Sequence, residues 1–196
     1  MANDTGKAVE ADLALRAFHG DGKAFAELVR LFEGPVYRLC RRYLPPADAE
    51  EAVQDVFMRA FLHGSRFDLT RPLSPWLLTI ARRLCVDKLR YKGVRPEYAS
   101  DDIVVAVPPS AEDEVAARQE LRHLNAALAQ LAEGPREALV LFHVEGLAYR
   151  DIAEVLGVPI GTVMTWLHRT RAHLRTLLAA ESAAPGKPRI ESGVSP

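Results

Sequence analysis

The feature that most constrains this chain is the recurrence of apolar residues at helical spacing along almost its whole length, with no alternating run long enough for a strand. A stripe of that period buries one face of a helix, so helices must pack on helices and the expected fold class is all-α. Breaks in the pattern divide the chain. Residues 93–114, GVRPEYASDDIVVAVPPSAEDE, mix prolines, serines and acidic residues around one short IVVAV run and read as an extended acidic linker. Residues 181–196 contain Pro185, Gly186, Pro188, Gly193 and Pro196 without apolar periodicity and read as a disordered tail. Two small helical domains are expected, over 8–92 and 115–180.

Local punctuation places helices near 8–18, 22–43, 48–63 and 75–92 in the first domain. Asp48 with Glu51 reads as an acidic variant of a capping box, and Ser74 before Pro75 as a cap with a first-turn proline. In the second domain the helices fall near 115–132, 135–145, 149–156 and 160–180. Pro135 sits in a first turn, and Gly146 and Gly157 stop the preceding helices in left-handed geometry.

The formal net charge of −1 excludes a uniformly positive field, so a nucleic-acid partner must be met by local basic patches. Cys40 and Cys85 lie in separate helical patterns and read as buried small hydrophobes, against a disulfide framework and in keeping with a reducing cytosol. No basic start followed by an apolar run opens the sequence, and no stretch approaches the ~20 apolar residues of a membrane span, so a cytoplasmic protein is expected. His19, His63, His123, His143, His168 and His173 have no metal-ligand spacing, and there is neither a phosphate loop nor a nucleophile elbow. No catalytic residue, metal or cofactor is assigned.

Residues 146–163, GLAYRDIAEVLGVPIGTV, form a short helix, a glycine turn and the start of a second helix, the layout of a helix-turn-helix. Ile152, Ala153 and Leu156 supply the packed face of the first helix, and Val163, Leu167, Thr170 and Leu174 continue it along the second. Thr162, Thr165, His168, Arg169 and Arg171 lie off that stripe, where hydroxyl, imidazole and guanidinium groups reach phosphates or base edges. Arg169 is the leading base reader, since its fork matches the two acceptors of guanine, worth about 1–3 kcal/mol of discrimination. Taken alone, Arg169, Arg171 and Arg175 also suit a solvated helix end that favours the dipole.

At LAYRDIAEVLGVPIGTVMTWLHRTR, residues 147–171, the sequence resembles the extracytoplasmic-function sigma factors. Two further segments agree in order: DAEEAVQDVFMRAF at 48–61 resembles the family's polymerase-binding segment, and SPWLLTIARRLCVDKLR at 74–90 its promoter-melting and minus-10 segment. The resemblance implies sigma regions 2 and 4 and a subunit that directs bacterial RNA polymerase core to promoters, under an anti-sigma factor. The alternative is a free-standing helix-turn-helix regulator, which generally dimerises to read two half-sites.

Carried onto this chain, the resemblance assigns core-polymerase binding to Glu51, Gln54, Asp55, Met58 and Leu62. They lie away from an expected buried stripe of Val53, Val56, Phe57, Ala60 and Phe61, on a face that equally suits plain solvation. Minus-10 binding falls to Trp76, Thr79, Arg82, Arg83, Lys88 and Arg90, off a core stripe of Leu77, Ile80, Ala81 and Leu84, with FDLTRPLSP as base-capturing loop. Minus-35 duplex binding falls to Thr162, Thr165, His168, Arg169 and Arg171. Trp76 and Trp166 are each open to two readings, packing between helices or stacking on nucleic acid. The chain departs from the family at Arg83, where asparagine is common, at Met164 and Trp166, where basic residues are frequent, and at Ala148 in place of a capping serine.

Overall fold

Helix ends in this chain are set by residues that satisfy open backbone groups or turn the chain left-handed. Asp21 is the clearest: its carboxylate accepts from the Lys23 and Ala24 amides at 2.9 and 3.1 Å and starts the second helix. These two bonds hold the Asp21 carboxyl below the usual carboxylate range. The computed structural model describes residues 2–93, 127–128 and 130–182. Its helices are α1 (Ala2–Phe18), α2 (Gly22–Tyr43), α3 (Pro46–His63), α4 (Leu73–Tyr91), α5 (Glu133–His143), α6 (Tyr149–Leu156) and α7 (Ile160–Ser182), with a 3-10 turn at Gly64–Arg66. No strand occurs among the described residues. Of the expected linker, the helix near 115–132 and the tail, all but Gly93, Ala127, Leu128, residues 130–132 and the last two residues of α7 lie outside the described residues.

Two expected caps are replaced. The first turn of α3 begins at Pro46 after Pro45, with no side-chain cap, because Asp48 and Glu51 are drawn instead to Lys92 and Lys88 at the end of α4, at 2.5 and 3.0 Å. Helix α4 begins at Leu73, ahead of Ser74; the Leu73 amide donates to Glu10 Oε1 of α1 at 2.6 Å, so a neighbouring helix satisfies an open donor there. Gly146 and Gly157, at φ of 67° and 68°, do take the left-handed geometry.

The first four helices pack with α2 at the centre, touching α1, α3 and α4. Ala49, Ala52 and Ala60 of α3 are fully buried and let that helix approach closely, while Leu77, Leu78, Ala81, Leu84 and Cys85 fill the inner side of α4. Ile80 is only half-buried and Phe61 is 43% exposed, both against expectation; Phe61 lies edge-on to Phe25, with centroids 5.1 Å apart. Phe18, Phe67 and Trp76 form an aromatic cluster over Gly64, whose added Cβ would meet the Phe18 ring at 2.2 Å. Cys40 and Cys85 are free, buried and adjacent; the hydrogen bond between them, with burial, pushes the Cys85 thiol far up.

Helices α5, α6 and α7 pack mutually, and α6 also lies on α4. Buried residues of both modules join one apolar cluster. Helices α1–α4 and helices α5–α7 thus each pack among themselves, and the two sets are docked on each other.

Gly64→Ala is expected to lower unfolding stability by about 1–3 kcal/mol through overpacking against Phe18. Gly22→Ala, at a helix start with nothing within 4 Å of the new Cβ, should leave stability unchanged or raise it by up to ~1 kcal/mol in the same urea titration. Neither cysteine should react with an aromatic disulfide reagent until denaturant is added, because buried thiols are shielded from the reagent; prompt labelling of the native chain would contradict this.

Candidate nucleic-acid and polymerase interfaces

The helix-turn-helix is built as its residue types dictate. Helix α6 starts after Ala148 with no side-chain cap and ends in the left-handed Gly157. Pro159 then opens α7, its carbonyl accepting from the Thr162 amide at 2.9 Å. Ile152, Leu156, Val163, Leu167 and Thr170 are buried as expected, but Val155 takes the deep position on α6 and Ala153 is only half-buried.

On the outer face of α7, Thr165, His168 and Arg169 are exposed and Thr162 is half-exposed. The Thr165 hydroxyl donates to the Gly161 carbonyl at 2.8 Å. Arg171 is drawn off this face: its guanidinium lies 4.7 Å above the Phe142 ring of α5. Burial, with Arg171 nearby, lowers the His143 pKa. Trp166 packs inward, its ring filling the space that a Cβ on Gly134 would occupy at 2.5 Å.

The α4 face differs from expectation at several positions. Thr79 is buried, and its hydroxyl donates to the Pro75 carbonyl at 2.8 Å, so it turns away from any ligand. Trp76 is half-buried in the aromatic cluster with Phe18 and Phe67. Lys88 reaches Glu51 and Asp55 on α3 at 3.0 and 3.1 Å, and these partners outweigh its burial to raise its pKa. Arg83 and Arg90 are exposed, Arg90 lying 3.7 Å from Asp87. The loop before α4 is ordered by Asp68, which accepts from the Thr70 hydroxyl at 2.7 Å and the Thr70 amide at 3.0 Å, bonds that lower its pKa. A shallow hollow lined by Glu10, Phe67, Thr70 and Leu73 lies against that loop.

On α3, Met58 and Leu62 are 60% and 64% exposed, and Gln54 is exposed beside them. Glu51 and Asp55 meet Lys88 on the α4 side, which separates the charged half of this face from its apolar half. An open groove between α2 and α3 is lined by Arg30, Glu33, Tyr37, Glu50 and Gln54.

A further set of charges joins the modules. Arg38 of α2 makes a two-pronged pair with Glu145 at 2.9 and 2.8 Å, and that hydrogen bond raises the Arg38 pKa. Arg71 of the loop pairs with Glu154 of α6. Glu137 of α5, its side chain 1% exposed, accepts from the Tyr43 hydroxyl at 2.6 Å and lies 3.5 Å from Arg82 Nε. Burial pushes the Arg82 pKa down, but Glu137 and Tyr43 outweigh it and leave the group raised. These partners stand 55 to 107 residues apart, so no short spacing in the sequence announces them.

Comparison with known proteins gives the geometry its family. The Sigma-70 region 2 model matches residues 28–94 and the Sigma-70, region 4 model residues 121–174. The chain is 33% identical over 172 residues to the ECF RNA polymerase sigma factor SigW of Bacillus subtilis, covering 81% of this chain and 91% of SigW. It is 32% identical over 180 residues to the RNA polymerase sigma factor CnrH of Cupriavidus metallidurans, covering 87% and 94% of the two chains. Among solved structures, CnrH in complex with the cytosolic domain of CnrY matches with a TM-score of 0.62 and 29% identity over 88% of this chain and 98% of that one. The sigma factor RpoE in complex with the anti-sigma factor NepR from Bartonella quintana matches with a TM-score of 0.61 and 27% identity over 81% and 99%. Helices, their order and these likenesses agree: the chain belongs to the ECF family of RNA polymerase sigma factors.

Proposed function

We propose that the two modules divide promoter recognition between them, the first holding polymerase core and the opened minus-10 strand and the second reading minus-35 duplex. As an ECF sigma factor the chain directs RNA polymerase to promoters and initiates transcription. The observation that carries the division is the exposed polar line Thr165, His168 and Arg169 on α7, one module away from the exposed Met58 and Leu62 on α3. A hydroxyl, an imidazole and a guanidinium on one helix face suit phosphates and base edges; two long apolar side chains beside Gln54 suit a protein partner. Arg83 and Arg90 are the α4 cations best placed for strand phosphates, while Thr79 acts only in packing.

The chain itself supplies no catalytic group; polymerase does the chemistry, in the cytoplasm where polymerase works. No helix among the described residues is long and apolar enough to cross a membrane. The complexes of CnrH with CnrY and of RpoE with NepR support an anti-sigma partner for this chain too.

Arg169→Ala is expected to weaken minus-35 duplex binding by about 1–3 kcal/mol, read by fluorescence anisotropy, without shifting the melting temperature, since the side chain is exposed. Equal loss on scrambled duplex would mean that Arg169 holds phosphate only. The double variant Met58→Asp, Leu62→Asp should lose core-polymerase binding by at least about tenfold and keep duplex binding; undiminished core binding would remove α3 from the interface.

A further inference from the structure

Two large apolar side chains stand exposed on the helix that carries the outward cations. Ile160 and Met164 lie in the first turns of α7 on its outer side, while Val163, Leu167 and Thr170 are buried and seat the opposite side in the core. Residues four apart share a helix face, so Ile160, Met164 and His168 form one ridge, and Gly161, Thr165 and Arg169 the ridge beside it. Gly161 keeps this patch low: a Cβ built there would meet nothing within 4 Å, which leaves room for a close approach. The Thr165 hydroxyl gives its proton to the Gly161 carbonyl, so toward a ligand it offers a methyl group and an acceptor. From Ile160 to Ala180 the sequence holds Arg169, Arg171 and Arg175 and no acidic residue, a charge that fits a polyanion on the same face.

We propose that Ile160 and Met164 read thymine: their side chains cover thymine 5-methyl groups in the major groove, beside the guanine that Arg169 takes. This rests on α7 as the duplex-reading helix and adds which base its first turns select. An apolar side chain has no hydrogen bond to offer a base edge, and the thymine methyl is the apolar group that the major groove presents. Met164 has an unbranched side chain with a polarisable sulfur, so it follows a methyl group across small shifts of register. Five residues separate Met164 from Arg169, about 7.5 Å of helix, so the thymine and the guanine fall within about two or three base pairs of each other.

The full-length chain tests this by selection from short random-sequence duplexes, about one and a half helical turns long, followed by sequencing of the bound sites. The selected duplex is then measured by fluorescence anisotropy as made and with each thymine in turn replaced by deoxyuridine, which removes the 5-methyl and keeps every hydrogen-bonding group. At least one replacement should weaken wild-type binding by about fourfold, the contribution of one buried methyl. Met164→Ala should bind the thymine and deoxyuridine duplexes alike, whereas Met164→Leu should keep most of the difference. Met164→Lys should lose the difference and steepen the salt dependence by about one phosphate contact. The side chain is exposed, so none of these variants should move the melting temperature. A selected site without thymine overturns the proposal, as does equal binding of both duplexes by the wild-type chain or a difference that survives Met164→Ala. Core-polymerase binding is measured in parallel, and its loss in Met164→Ala would place the patch against protein and likewise overturn the proposal. No enriched site from a chain that still binds core strikes the reading of α7 itself, whereas an enriched site with no methyl effect strikes the thymine assignment alone.

Discussion

A single buried carboxylate ties the molecule together. Glu137 sits with almost none of its side chain in water, and removing an ion from water costs several kcal/mol unless partners replace the lost hydration. Its partners come from the other module: the Tyr43 hydroxyl makes a short bond to one oxygen, and Arg82 approaches the second at a distance that gives charge attraction more than a well-formed hydrogen bond. Without α2 and α4 in place, Glu137 has to return to solvent. Seating of α5 therefore fixes where α6 lies on α4, and with it the direction in which α7 presents its outer face.

The same economy of contacts governs the outer faces of α3, α4 and α7. A residue held by a strong intramolecular partner is not available to a ligand unless the partner lets go. Lys88 is committed to two α3 carboxylates, Arg171 to an aromatic ring and Thr79 to a backbone carbonyl, and these commitments leave a smaller set of open groups than residue type alone implies. On α3 the consequence is a sorting of character: the acids turn toward α4 and the apolar side chains project outward. The α7 face, by contrast, keeps its three central groups free of neighbouring helices.

Much of this was legible in the order of residues. Period-3.6 stripes gave the helices because burial of one face is a local, repeating demand, and Gly146 and Gly157 announced their turns because left-handed backbone favours glycine. The outward positions Thr165, His168 and Arg169 followed from the same period. What spacing did not carry was choice among partners. Asp48 and Glu51 match a capping pattern, yet two lysines at the far end of α4 compete for them across space. Ser74 precedes a proline as a cap should, yet Glu10 on another helix supplies the acceptor. Thr79 lay one position off the inferred stripe because α4 is covered on two sides, by its own module and by α6, which widens its buried arc beyond what one amphipathic face predicts. Docking of the modules was illegible for the same reason: it rests on ion pairs and apolar contacts between residues distant in sequence.

The fit of Trp166 over Gly134 bears on any attempt to re-engineer promoter choice. A basic residue grafted at Trp166 alone would vacate an indole-sized space beside a residue with no side chain to fill it. Helix α7 would then settle into a different tilt, carrying its exposed Thr165, His168 and Arg169 with it. Chimeras that exchange α7 should therefore exchange the start of α5 as a unit, since the two surfaces are halves of one mould.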